Sequence, residues 1–128
     1  MTDKTATTEI PEIDATLVAA QNDQLRKALC LGETNYPIVP GRLVWTASIA
    51  AREGEFFNKV RKAIGEFETF EPENDPDEFH DFGAVEVEGE TVWFKIDHYD
   101  ADYKYGSEDP SDLKRTRRVL TILLPSDW

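Results

Sequence analysis

The chain contains few of the residues that disulfide frameworks and metal centres need. Among 128 residues there are one cysteine, Cys30, and two histidines, His80 and His98. A single cysteine excludes an internal disulfide and a site built from several thiolates, and it is typical of the reducing cytosol. No apolar run approaches the roughly 18 residues of a membrane span, and the N-terminus carries no apolar signal segment. We therefore predict a cytoplasmic protein.

Basic residues are nearly missing from one long stretch of the chain. Residues 66–112, termed here the acidic block, contain 17 acidic residues and only two basic ones, Lys95 and Lys104, whereas residues 1–65 hold 8 of each sign. The whole chain carries a net charge of −12. Nucleic acids and anionic membranes repel such a protein, which disfavours direct binding to either. Crowding of one sign also destabilises the compact state, so we infer a binding role for the acidic block.

The remaining composition is that of one folded domain. Hydrophobic residues make up 40% and aromatic residues 11% of the chain, which is sufficient for a single core. Residues 1–13 are polar and lack a period, which predicts a disordered N-terminal arm before a single domain over residues 14–128. Apolar periodicity predicts helices over residues 15–31 and 52–67, strands over 43–50, 82–88, 91–99 and 118–124, and polar loops over 68–78 and 100–114.

The clearest local signal is a hairpin around Gly89 and Glu90. A two-residue type II′ turn at these positions pairs Val87 with Val92 and Phe82 with Asp97, and it places apolar side chains on one face. The hairpin requires antiparallel pairing, so we predict an α+β fold with a mainly antiparallel four-stranded sheet and two helices packed on one face. The expected core comprises Leu17, Leu25, Trp45, Phe56, Val60, Ile64, Val85, Phe94, Val119, Ile122 and Leu124.

Five sequence blocks in this order resemble one bacterial family. They are FEPENDP (70–76), HDFG (80–83), WFKIDHYD (93–100), YGSEDP (105–110) and RVLTILL (118–124). The resemblance covers roughly residues 20–128 and is to an uncharacterised domain of unknown function, often carried on plasmids and other mobile elements near antirestriction genes. It implies a fold class and a genomic neighbourhood but no catalytic or binding residues. The family commonly has Tyr where this chain has His98.

The first functional hypothesis is that the acidic block mimics nucleic acid. Same-face carboxylates on a strand lie about 6.7 Å apart, and such a row can occupy a basic channel that normally binds a phosphate backbone. The expected partner is a nucleic-acid-processing protein, such as a restriction enzyme or an RNA-guided (CRISPR-type) nuclease, inhibited by a monomer or weak dimer without a cofactor. The alternative is an acidic face that only maintains solubility. The predicted partner-binding residues are Glu66, Glu68, Glu71, Glu73, Asp75, Asp77, Glu86, Glu88, Trp93 and Tyr99.

The second hypothesis is a metal-assisted hydrolase. The hairpin register places Asp81 near His98, and three oxygen or imidazole ligands around an open position can hold a divalent cation and activate water. The spacing matches neither H-E-x-x-H nor an EF-hand, and loop capping explains the same residues. Cys30 is expected to be a buried helix residue rather than a nucleophile. The candidate ligands are His80, Asp81, Asp97 and His98, with Glu78 and Asp100 nearby.

Overall fold

The computed structural model describes residues 13–34 and 36–128. Of the predicted disordered arm, residues 1–13, all but Ile13 lie outside these ranges. No helix in the described ranges is long and apolar enough to cross a membrane. The elements are α1 (Ala15–Leu31), β1 (Gly41–Trp45), α2 (Ala47–Ala50), α3 (Phe56–Gly65), β2 (Phe82–Val87), β3 (Glu90–Tyr99), β4 (Arg117–Leu123) and a 3-10 helix (Pro125–Asp127). The predicted α+β class is therefore confirmed.

Helix α1 has the predicted bounds because both of its ends carry capping residues. The Asp14 side chain accepts a hydrogen bond from the backbone N–H of Leu17 at 3.1 Å, which satisfies one of the free donors of the first turn. At the other end Gly32 adopts a φ of 75° and its N–H bonds to the carbonyl of Ala28, a left-handed stop that suits glycine.

In the part of the chain that the structure describes, the sheet has four strands, as predicted, in the order β1-β4-β3-β2. The pairs β2–β3 and β3–β4 are antiparallel, but β1 and β4 are parallel. The sheet is therefore mixed, and the expectation of antiparallel pairing fails at this edge. The physical reason is the long path from β1 through two helices and the hairpin, which returns β4 beside β1 in the same direction.

The hairpin turn lies one residue earlier than predicted. Its central residues are Glu88 and Gly89, whose φ angles of 54° and 79° are both positive, as a type I′ turn requires. Val85 consequently pairs with Val92 and Phe82 with Lys95, so the predicted pairing of Phe82 with Asp97 is wrong. The two registers differ by two residues, an even number, and the predicted apolar face is preserved.

Two element boundaries also differ from the prediction. The strand predicted over residues 43–50 ends at Trp45, and the short helix α2 follows it. The helix predicted over residues 52–67 is shorter, spanning Phe56–Gly65. There are thus three α-helices in the described ranges rather than two. The apolar residues at 47–50 do not extend the strand because Ile49 becomes buried from the helix instead.

The core lies between one face of the sheet and helices α1 and α3. Seven of the predicted core residues are buried, whereas Leu17 and Trp45 are 43% and 45% exposed and Val119 and Leu124 are half-buried. Leu17 lies outside the core because the buried face of α1 is partly polar and is formed by other residues of the helix. The buried residues of α1 are Val18, Ala19, Gln21, Asn22, Leu25, Arg26 and Cys30.

Candidate functional site

Many carboxylates of the acidic block are neutralised by nearby side chains. For three of them the basic partner comes from helix α1 or α3, which lie against the block. Since exposed pairs of this kind contribute little to stability, their main effect is to reduce the local negative charge. The pairs are Glu66 with Lys62 at 2.7 Å, Glu68 with Lys27 at 3.1 Å and Glu88 with Lys59 at 3.0 Å. Glu86 accepts a hydrogen bond from the Thr91 hydroxyl instead.

The segment between α3 and β2 contains a dense group of carboxylates that remain uncompensated. Residues 71–78, termed here the acidic loop, carry four exposed acidic side chains that form neither an ion pair nor a side-chain hydrogen bond within the described ranges. Uncompensated negative charge is therefore dense on this loop, while Glu86, Asp102 and Glu108 elsewhere in the acidic block are also exposed without an ion pair in the described ranges. The four residues are Glu71, Glu73, Asp77 and Glu78.

Asp75 differs from its neighbours because it faces inward. It is only 5% exposed, and its Oδ1 accepts hydrogen bonds from the backbone N–H groups of Phe79 and His80, both at 3.0 Å. These bonds stabilise the end of the acidic loop, where Glu78 and His80 adopt φ angles of 60° and 56°. Asp75 was predicted as a surface contact; the structure places it in the wall of a cleft.

A cleft of about 540 Å³ separates α1 from the acidic loop. Its polar wall contains four carboxylates and one imidazole, while alanines of α1 and prolines of the loop supply apolar surface. The combination of concave shape and converging polar groups is typical of a binding site. The residues that line it are Thr16, Ala19, Ala20, Asp23, Phe70, Glu71, Pro72, Asp75, Pro76, Glu78 and His80.

His80 is held in a fixed orientation within this cleft. Its Nδ1 donates to the carboxylate of Asp23, at 3.0 Å from each oxygen, because an ionised carboxylate accepts but cannot donate. The imidazole stacks on Phe70 with ring centres 4.0 Å apart and planes within 3°. Nε2 is left facing Asp75, whose Oδ2 lies 3.9 Å away.

Arg26 anchors this arrangement from the interior. Its side chain is 1% exposed, and its Nη2 donates to Asp23 at 2.7 Å. Its Nη1 donates to the carbonyls of Ile64, Gly65 and Phe67, at 2.9, 3.2 and 2.9 Å. Arg26 thereby satisfies carbonyls at the C-terminal end of α3 and fixes the position of Asp23.

His98 belongs to a second, buried polar network. Its Nε2 lies 3.0 Å from the Asn22 amide nitrogen, and Asn22 Oδ1 accepts from Arg118. Burial, and secondly the Arg118 guanidinium, lower the pKa of His98 to about 4. Arg118 is fully buried and also donates to Gln21 and to the Pro110 carbonyl. The network ties α1 to β3, β4 and the loop before β4.

The proposed metal ligands therefore have different partners. His80 bonds to Asp23 and His98 to Asn22, while Asp97 pairs with Lys95 at 2.5 Å and Asp100 accepts backbone N–H groups of its own loop. Burial, followed by the nearby Asp75 carboxylate, raises the pKa of Asp81 to about 6. Within the described ranges no group of three or more His, Cys, Asp or Glu residues is arranged to hold a metal ion. The hydrolase hypothesis stays a prediction without an assembled site.

The two predicted aromatic contacts lie away from the cleft, on the sheet face opposite the helices. Trp93 is half-buried between Phe82 and Trp128, with ring centres 5.4 and 6.2 Å away. Tyr99 follows six residues later on the same strand and approaches Tyr103 at 6.4 Å. Neither residue forms part of the wall that Asp75 and His80 share.

Sequence reasoning identified His80 and Asp75 but missed Asp23, Arg26 and Phe70. Asp23 is 57 residues from His80 along the chain, so no local spacing relates them. One signal was present: α1 carries polar residues, among them Asn22 and Arg26, in the stripe that its apolar residues mark as buried. Buried polar side chains require partners, and such a stripe indicates that other segments supply them.

Comparison with known proteins gives a family and no established function. No curated protein matches the chain, and no solved structure matches it. The model of one family, described as a protein of unknown function (DUF3768), matches residues 45–127. The match includes the acidic loop, Asp75 and His80, while Asp23 and Arg26 on α1 precede it. Because this match covers more than half of the chain, the protein belongs to the DUF3768 family.

Proposed function

We propose that the protein is a small acidic binding protein without enzymatic activity, which docks its acidic loop on a basic groove of a nucleic-acid-processing protein. The observation that carries this proposal is the position of the uncompensated charge. Four exposed carboxylates share the eight-residue acidic loop, whereas Glu66, Glu68 and Glu88 are paired with lysines.

The physical basis is the same as for nucleic acid on a basic surface. A partner groove that neutralises the acidic loop releases counterions, and the field of the loop accelerates the encounter. Both effects weaken as salt rises, because the Debye length falls from about 30 Å at 0.01 M to about 10 Å at 0.1 M. Binding is therefore strongly dependent on ionic strength.

The choice of partner rests on the sequence resemblance. A family carried on bacterial plasmids and other mobile elements near antirestriction genes encounters host enzymes that destroy foreign DNA. A restriction enzyme or an RNA-guided nuclease has the basic nucleic-acid channel that the acidic loop requires. The protein acts there as an antirestriction or anti-CRISPR inhibitor that excludes DNA.

The test compares two variants with the same change in net charge. The loop variant combines Glu71→Gln, Glu73→Gln, Asp77→Asn and Glu78→Gln; the control variant combines Glu66→Gln, Glu68→Gln, Glu86→Gln and Glu88→Gln. Each is immobilised and exposed to a bacterial lysate at 50 and 500 mM salt, and the captured nucleases are identified. Wild type and the control variant should retain a nuclease at low salt, and the loop variant should not.

The captured nuclease is then tested in purified form. A DNA duplex carrying its target should compete with the protein for binding, and the protein should inhibit cleavage. The proposal is wrong if association is insensitive to salt, is not competed by DNA, and is equal for the loop and control variants. Equal weakening of both variants would mean that net charge, rather than the acidic loop, drives binding.

A further inference from the structure

The Asp75 carboxylate presents one oxygen that lacks a donor. Its Oδ1 accepts two backbone hydrogen bonds, but within the described ranges no group donates to its Oδ2. The nearest basic group, His80 Nε2, is 3.9 Å away and beyond hydrogen-bond distance. Although Asp75 is only 5% exposed, its side chain lines the cleft, so Oδ2 is open to a donor that enters from the cleft.

The surroundings of that oxygen favour a cation. Asp23, Glu71 and Glu78 also line the cleft, and His80 is the one basic residue among its described lining residues. Ala19, Ala20, Pro72 and Pro76 provide apolar surface along the same wall. An acidic cleft with an apolar wall is complementary to a long basic side chain, whose methylene groups bury against apolar surface while its charge reaches the carboxylates.

We propose that the cleft receives an arginine side chain of the partner protein, with its guanidinium donating to Asp75 Oδ2. This inference rests on the proposed function and specifies where on the acidic surface the partner is recognised. Arginine fits better than lysine because its planar guanidinium presents several donors in a rigid fork and is more weakly hydrated. The stacked rings of Phe70 and His80 add an aromatic surface on which a guanidinium can stack.

The test uses a fluorescent hexa-arginine peptide and two variants that each remove one charge. Asp75→Asn retains a carbonyl oxygen for the two backbone hydrogen bonds but replaces Oδ2 with an NH₂ group. Glu73→Gln is the matched control, since Glu73 belongs to the acidic loop but does not line the cleft. Fluorescence anisotropy at 100 mM salt should show at least tenfold weaker peptide binding for Asp75→Asn and less than threefold for Glu73→Gln. Equal losses would overturn the cleft as the recognition site.

A second variant keeps the test decisive if Asp75→Asn disturbs the fold. Ala20→Phe fills the cleft from an exposed position of α1 without altering any charge, and it should also weaken peptide binding at least tenfold. Unchanged binding by a folded Ala20→Phe variant would overturn the proposal.

A hexa-lysine peptide should bind more weakly than hexa-arginine. Spermidine that binds more tightly than hexa-arginine, with the same dependence on Asp75, would replace the protein partner with a free polyamine.

Failure of this inference is distinct from failure of the proposed function. If Asp75→Asn and Ala20→Phe bind the peptide normally while the loop variant still loses its nuclease, the arginine site is wrong and the acidic loop stands. If the loop variant captures the nuclease as wild type does, the proposed function is wrong whatever the peptide shows.

Discussion

The half-buried position of His98 beside Arg118 makes the stability of the protein dependent on pH. Its pKa is lowered from 6.5 to about 4, so the unfolded chain binds this proton more readily than the folded protein does. The free energy of unfolding should therefore fall as pH decreases from about 6.5 to about 4, by roughly 3 kcal/mol in total from this residue. Urea unfolding of wild type and His98→Gln at several pH values measures it as the difference between the two curves.

Asp81 changes the free energy of unfolding in the opposite direction over an overlapping pH range. Its pKa is raised to about 6, so its ionised form costs stability above that pH and the cost is relieved as pH falls toward 3.8. The group is partly solvated, which reduces the effect to about 1 kcal/mol. Introducing Asp81→Asn into both proteins removes this contribution, and the difference due to His98 should persist. Parallel curves for wild type and His98→Gln would contradict the assignment.

Truncation of the core residue Phe94 should strongly reduce the stability of the protein. Its side chain is fully buried and contacts Phe67 edge to face, with ring centres 5.5 Å apart. Phe94→Ala should lower the free energy of unfolding by about 3–5 kcal/mol, measured by urea unfolding. Trp93→Ala, the half-buried neighbour on the opposite face, is the control and should cost less. A loss below about 1 kcal/mol at Phe94 would contradict its buried position.

The turn of the β2–β3 hairpin contains a residue whose side chain is disfavoured in its left-handed backbone conformation. Glu88 adopts a φ of 54°, a left-handed value that costs a side chain other than Gly, Asn or Asp roughly 1–2 kcal/mol. Glu88→Asn creates the Asn-Gly sequence preferred in type I′ turns and should stabilise the protein by about 0.5–1 kcal/mol. Glu88→Gln removes the same charge and the same pair with Lys59 without the turn preference. Equal stabilities of the two variants would argue against this account.

The elements that were predictable from sequence are those whose signals are local. The caps of α1 and the apolar alternation of β2 and β3 lie within a few residues of the structure they specify. The hairpin register was wrong because Glu88-Gly89 and Gly89-Glu90 both place glycine at a suitable turn position, and both leave the same residues facing the core. The parallel pairing of β1 with β4 depends on segments more than 70 residues apart, which local pattern cannot specify.

The candidate site was predictable only in part for the same reason. His80 and Asp75 lie in one segment with an evident excess of carboxylates, whereas Asp23 reaches His80 only once α1 has packed. Arg118 follows Lys114, Arg115 and Arg117 in the sequence, yet the structure shows it fully buried against Asn22. A charged residue within an apolar strand run is ambiguous until the residues opposite it are known.

At the scale of the whole molecule, net charge opposes folding. A net charge of −12 on 128 residues produces self-repulsion that is greater in the compact state than in the unfolded chain. The urea midpoint should therefore rise as KCl increases from 10 to 150 mM, because screening reduces that repulsion. The loop variant, with a net charge of −8, should show a smaller rise. A midpoint that falls with salt would mean that the lysine–glutamate pairs dominate instead.

The strand order also determines when the fold can form during synthesis. Strand β4 is the last strand in the described ranges, yet it lies inside the sheet and pairs with both β1 and β3. Until β4 has left the ribosome, β1 has no neighbouring strand and one edge of β3 is open, so apolar residues such as Leu43 and Ile96 lack their partners. The sheet is therefore completed only after β4 has been synthesised and has left the ribosome, and until then the apolar residues of the earlier strands are exposed to chaperones.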